Sequence, residues 1–247
     1  MLSSQSPQVL VFGTSDQMAG HMVEKWTELS GHAIKSRGFF TAALSGGETP
    51  VPFYRRLAAE GAGIEWNKIH LFLADERLVP SDSPFSNYNL LSMTLLKNLP
   101  VPPRNIHAVN TDGPDSQSSA VKYEEEIKRF FMLRDGDLPE FDLILLGLGA
   151  DGHTASLFPG DGALHDKRRL VRAVILDEKR HDRITLSLPV INNARMVVFL
   201  VSGKAKAEVL RDVVEKRGNR LPASLIKPGK GGLLFLADKE AAQYLSD

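Results

Sequence analysis

The chain has 247 residues, 43% of them hydrophobic, which is enough for one large α/β domain or two small ones with a sizeable core. Its 30 Lys and Arg balance 30 Asp and Glu, so the overall field gives no reason to expect nucleic acid or an anionic membrane as partner; a local cluster can still bind a small phosphate. There is no cysteine, which excludes disulfides, thiolate nucleophiles and Cys-ligated zinc or iron–sulfur centres. Residues 1–7 lack the basic n-region of a signal peptide, and no apolar stretch approaches the roughly 18 residues that span a bilayer. The expected location is cytoplasmic.

Apolar runs of β-branched or aromatic character predict strands at residues 9–12, 39–44, 69–74, 141–146, 171–176, 183–186, 196–201 and 233–236. Helical patterns lie between many of them. One places Ala120, Tyr123, Ile127, Phe130 and Phe131 on a buried face, with Glu124, Glu125, Lys128 and Arg129 turned outward. Another covers residues 204–215, with Val209, Leu210, Val213 and Val214 as its apolar stripe. This alternation predicts an α/β fold, a mostly parallel sheet with helices on both faces and its glycine turns on one edge. No repeat or linker interrupts it, so residues 1–247 read as a single domain.

Four constellations follow strands. Ser45-Gly46-Gly47-Glu48-Thr49-Pro50 precedes a helix that Thr49 can cap and Pro50 can start. The paired glycines let N–H groups converge on an anion, with the Ser45 hydroxyl as a further donor, or form a tight turn without ligand. Next, Asp75-Glu76-Arg77 ends a strand, ahead of a helix starting near Ser86-Asn87. Arg77 can grip a phosphate bidentately while an acid of the triplet positions sugar hydroxyls, or the triplet is a solvated loop.

The third is Gly147-Leu148-Gly149-Ala150-Asp151-Gly152-His153, which also satisfies the dinucleotide fingerprint Gly-x-Gly-x-x-Gly. That reading requires a long helix, and Pro159, Gly160 and Gly162 break one, although Asp177 does end the next apolar run. His153 reads better as a general base, since a neutral imidazole takes a proton from water near neutral pH. Asp151 either orients it or meets a substrate hydroxyl. The fourth is Ser202-Gly203-Lys204, where a lysine at a helix head opposes the helix dipole and fits either an anionic ligand or plain solvation. No Gly-x-Ser-x-Gly elbow, phosphate loop or zinc motif occurs, so the site carries no metal and no cofactor in this reading.

Together, Ser45-Gly46-Gly47 with Pro50, residues 75–80, residues 147–159, Arg183-Ile184-Thr185-Leu186, Ser202-Gly203 with Lys206, and Leu221-Pro222-Ala223-Ser224 resemble the blocks of the 6-phosphogluconolactonase family, in the family's order. The resemblance implies a three-layer Rossmann-like fold and hydrolysis of a phosphosugar lactone, 6-phospho-D-glucono-1,5-lactone, in the oxidative pentose phosphate pathway. His153 and Asp151 are then the catalytic residues. Ser45, Gly46, Gly47, Asp75, Arg77, Arg183 and one of Lys204 and Lys206 bind substrate.

Glucosamine-6-phosphate deaminases share the fold and similar turns. They typically continue His-Ile-Ala-Phe-Asn-Glu where this chain has His153-Thr154-Ala155-Ser156-Leu157-Phe158, and place an aromatic residue where it has Arg77. Glu48 stands where relatives carry a small hydroxyl residue and is expected to point away from a bound phosphate. A non-catalytic sugar-phosphate sensor is a further alternative.

Overall fold

The apolar runs become strands of two sheets in the computed structural model, which describes residues 7–176, 180–215 and 221–246. In chain order the strands are β1 (Gln8–Phe12), β2 (Phe40–Leu44), β3 (Ile69–Leu73), β4 (Asp75–Arg77), β5 (Ile106–His107), β6 (Leu143–Gly147), β7 (Val171–Val174), β8 (Arg183–Leu186), β9 (Met196–Val201) and β10 (Gly232–Asp238). The helices are α1 (Ser15–Arg37), α2 (Val51–Glu60), α3 (Asn87–Thr94), α4 (Ser116–Phe131), α5 (Leu188–Asn192), α6 (Ala207–Val214) and α7 (Lys239–Ala242). Asp177, the acid that a dinucleotide reading would use, lies outside the described residues.

Seven strands form one sheet in the order β1-β10-β9-β6-β2-β3-β5, with every neighbouring pair parallel. All five residues of β2 are buried, so the sheet is covered on both faces. One cover is α1. Thr14 caps its start, Gly38 ends it in the left-handed region at φ 89°, and Met18, Met22, Trp26 and Ala33 are buried. Trp26 meets Phe40 of β2 edge-on at 5.1 Å.

The expected α/β architecture is present, with one addition. β4, β8 and β7 form a small antiparallel sheet that the apolar pattern does not announce. The chain crosses between sheets at Ala74, whose N–H bonds Leu44 O and whose carbonyl accepts from Leu186 N. Asp75-Glu76-Arg77 is therefore a strand in its own right rather than the end of one. The two-residue β5 carries too little sequence to show an alternation.

Three local expectations are corrected. Thr49 does not cap α2: Pro50 occupies the cap position with no side-chain bond, and Pro52 lies within the first turn. Residues 204–206 form a 3-10 turn before α6 begins. Glu124 of α4 is buried, because its carboxylate accepts the Leu170 and Val171 N–H groups at the start of β7.

Candidate active site

In the parallel sheet, all strands end on one edge. From β2 the chain moves outward to β3 and β5, then returns to β6 on the other side of β2 and moves outward again through β9 and β10. The strand order reverses between β2 and β6, and such a crevice beyond the strand ends is where open α/β sheets bind ligands. The Ser45 turn leaves β2 there, and the His153 loop leaves β6.

After β6 no helix starts: residues 148–161 are turns and bends, and a short 3-10 turn follows at Gly162–His165. This excludes the dinucleotide reading of the glycines. The loop is a closed turn, with Gly149 N–H on His153 O at 2.8 Å and Gly152 N–H on Gly149 O at 3.0 Å. Asp151 Oδ1 and His153 Nδ1 are 2.5 Å apart, and the same oxygen accepts the His153 N–H at 3.2 Å. Burial pushes the Asp151 carboxyl up, but the bonds and charge of His153 outweigh it and hold the group below its ordinary value.

In the neutral ring the tautomer that donates Nδ1–H to Asp151 leaves Nε2, which has no hydrogen bond among the described residues, as the acceptor. The ring also packs on Phe158, centroids 4.8 Å apart. Glycine is required at two points. A Cβ on Gly149 would lie 2.1 Å from His153 Nδ1, and one on Gly152, at φ 81°, would lie 2.7 Å from Leu221.

The Ser45 turn is held by its buried side chain. Ser45 donates its hydroxyl to Leu145 O of β6 at 2.8 Å, so that proton is not available to an anion, contrary to the sequence expectation. The N–H groups of Gly46 and Gly47 have no intramolecular acceptor among the described residues. They remain the turn's donors. Glu48 is exposed.

Asp75 is a brace rather than a ligand for sugar hydroxyls: it is buried, and its oxygens accept from Ser156 Oγ at 2.7 Å and Asn87 Nδ2 at 3.3 Å. Ser156 N–H in turn bonds Thr185 Oγ1 of β8. Asn87 also abuts Gly46, where a Cβ would lie 1.9 Å from its Oδ1. Through Gly46, Asn87, Asp75, Ser156 and Thr185 the two loops and the small sheet form one framework. Asn87, Ser156 and Thr185 stood inside the quoted motifs, but nothing local marks a brace.

Glu76 is buried beside them and accepts the N–H groups of Arg77, Asn87 and Tyr88 and the Ser86 hydroxyl, anchoring the start of α3. Burial pushes its carboxyl up against the pull of those donors.

Arg77 and Arg183 are directly opposite each other in the β4–β8 pairing. Neither guanidinium is in an ion pair among the described residues, and Arg77 Nε is buried without a partner. Burial and the nearby Arg77 charge pull the Arg183 guanidinium below its usual range. Two adjacent arginines without an ion-pair partner among the described residues have the chemistry to accept an anion, although the Asp75 and Glu76 carboxylates offset part of their charge. Lys204 is exposed and Lys206 half-buried, on a turn whose base is fixed by Asp238 bonding Ser202 Oγ and Gly203 N–H. The turn follows β9, the sheet neighbour of β6, so both lysines lie on the same edge. Neither ammonium group is bonded to the residues above.

Residues 13–235 match the family model for glucosamine-6-phosphate isomerases/6-phosphogluconolactonase. The chain belongs to that family. A relative within it, the 6-phosphogluconolactonase of Synechocystis sp., is 43% identical over 215 residues, 86% of this chain and 88% of the relative. The structure of 6-phosphogluconolactonase from Trypanosoma cruzi is 30% identical, with a TM-score of 0.85 over 100% of this chain and 99% of that one. A monomeric glucosamine-6-phosphate deaminase is 22% identical with a TM-score of 0.80, over 96% of this chain and 99% of that one, a likeness of fold alone.

Proposed function

We propose that the chain is a 6-phosphogluconolactonase, hydrolysing 6-phospho-D-glucono-1,5-lactone to 6-phospho-D-gluconate in the oxidative pentose phosphate pathway. The observation that carries this reading is the Asp151–His153 pair, on a loop whose Ser156 bonds Asp75, two residues before Arg77, which is paired across the small sheet with Arg183. The identity of 43% to a 6-phosphogluconolactonase supports it from outside the geometry. No specific observation favours the deaminase or the sensor.

In this mechanism Arg77, Arg183, the Gly46 and Gly47 N–H groups and a lysine of the 204–206 turn hold the phosphate. Binding at that remote group orients the ring. His153 Nε2 takes a proton from water as its oxygen bonds to the lactone carbonyl carbon. Asp151 holds Nδ1–H and stabilises the imidazolium. The tetrahedral intermediate then breaks its bond to the ring oxygen, which leaves as a hydroxyl with the proton returned by His153. One water is consumed and no covalent enzyme intermediate forms, because a δ-lactone is already a reactive ester.

Among the described residues no helix is long and apolar enough to cross a membrane, and the reading places the enzyme in the cytoplasm. A lactonase assay that subtracts spontaneous hydrolysis tests the function. Turnover above background is expected, with no ammonia released from glucosamine 6-phosphate; a rate equal to background overturns the reading.

A further inference from the structure

Two like charges directly opposite on paired strands repel, so something must hold Arg77 and Arg183 in place. Each gives one donor to a backbone carbonyl: Arg77 Nη1 to Phe85 O at 2.7 Å, and Arg183 Nη1 to His181 O at 3.1 Å. The side chains of those same two residues meet. The Phe85 and His181 rings are 5.3 Å apart, inclined at 47°.

Each side of this contact is anchored separately. Phe85 N–H bonds Ser83 Oγ, and Asn89 Nδ2 holds the carbonyls of Asp82 and Ser83. His181 sits in the left-handed region at φ 56°, an uncommon conformation for a side chain with a Cβ. Its neighbour Asp182 secures it: the carboxylate accepts from Ser116 Oγ and Leu176 N–H, and the carbonyl accepts from Leu78 N–H. Phe85 is 57% exposed, so core burial does not explain its position. The ring contact joins the two separately anchored segments whose carbonyls accept from the two guanidinium groups.

We propose that Phe85 and His181 are positioning residues, an aromatic clasp that sets Arg77 and Arg183 at the separation a phosphate requires. The proposal rests on the phosphate-binding reading of the arginine pair. A clasp of this kind acts on binding and leaves the chemistry at His153 unchanged.

The test uses the full chain and two readouts: kcat and KM for the lactone, and calorimetric titration with inorganic phosphate. Arg77→Ala is the reference for a lost phosphate contact. Phe85→Ala and His181→Ala are expected to raise KM and the phosphate Kd by about 5–10-fold with kcat within about twofold. His181→Phe, which keeps the ring, should restore both. Should an alanine variant fail to fold, Phe85→Leu keeps apolar bulk without the ring and should show the same rise.

Unchanged KM and Kd, a loss confined to kcat, or a His181→Phe protein as weak as His181→Ala would overturn the clasp. Wild-type protein that binds phosphate in a ring-dependent way but fails to turn over lactone would remove the lactonase reading and leave the clasp. Wild-type turnover with a phosphate Kd indifferent to Arg77→Ala would do the reverse.

Discussion

A histidine acts as a base at neutral pH when one nitrogen is held protonated and the other faces its substrate, and the His153 turn is built for that asymmetry. Asp151 takes Nδ1 at 2.5 Å, and the lack of a side chain at Gly149 makes room for both. His153→Ala should lower kcat by about 10²–10⁴ while KM changes little, read from steady-state kinetics after subtraction of the spontaneous rate. Gly149→Ala is a sharper test, because its Cβ would overlap His153 Nδ1 and displace the ring without removing it. We expect kcat to fall by at least about tenfold with the thermal midpoint nearly unchanged; wild-type kcat would mean the ring's position does not matter. At this scale the sequence is legible where a contact is local, as between Asp151 and His153, two residues apart. It misled where a side chain's partner lies far along the chain: Ser45 is spent on Leu145 and Asp75 on Ser156.

Elements followed the same rule. Long apolar strands such as β9 and β10 announce themselves, since a strand covered on both faces must be apolar throughout. β4 is invisible because its residues, Asp75, Glu76 and Arg77, are charged and become a strand only by pairing with β8. Helix α4 shows how tertiary structure overrides an amphipathic pattern. Its stripe of Ala120, Tyr123 and Ile127 is buried as expected, yet Glu124 is buried with it. Burial raises the Glu124 carboxyl, but the Lys128 bond and the two N–H donors of β7 outweigh it and hold the group below its ordinary value. Glu124→Ala would strip two buried N–H groups of their acceptor at a cost of about 1–3 kcal/mol each, partly recovered by water. A clear drop in urea midpoint is expected, and Glu124→Gln, which keeps one acceptor oxygen, should recover part of it. An alanine variant as stable as wild type would show that the small sheet does not depend on α4.

At the scale of the molecule, the two sheets meet at Ala74 and the Asp75–Ser156 bond ties the small sheet to the loop after β6, so we propose that residues 1–247 fold as one domain. A single coincident unfolding transition by fluorescence and circular dichroism is expected, and two separated transitions would divide it. The pH dependence of that transition should carry the signature of a histidine pair packed against α4, His107 buried and His70 half-buried. His70 Nδ1 lies 3.1 Å from His107 Nε2, and His107 Nδ1 lies 2.7 Å from Glu126 Oε1. His107 also stacks on Phe72 at 4.1 Å. Burial pulls both imidazoles down to about 4, assisted by the partner ring and Arg104 at His70 and by Arg129 at His107. With both rings charged, two N–H groups would face each other across the 3.1 Å contact. Because the folded values lie below the unfolded value of about 6.5, the unfolded chain binds more protons between pH 6.5 and 4. The pair's contribution is therefore complete above about pH 6.5 and lost as pH falls toward 4. Carboxylates also titrate in the lower part of that window, so the informative quantity is wild type minus His70→Phe, compared between pH 7 and 4.5 by urea unfolding. The variant should lose less stability on acidification than the wild type, and parallel losses would rule the histidine pair out as the source.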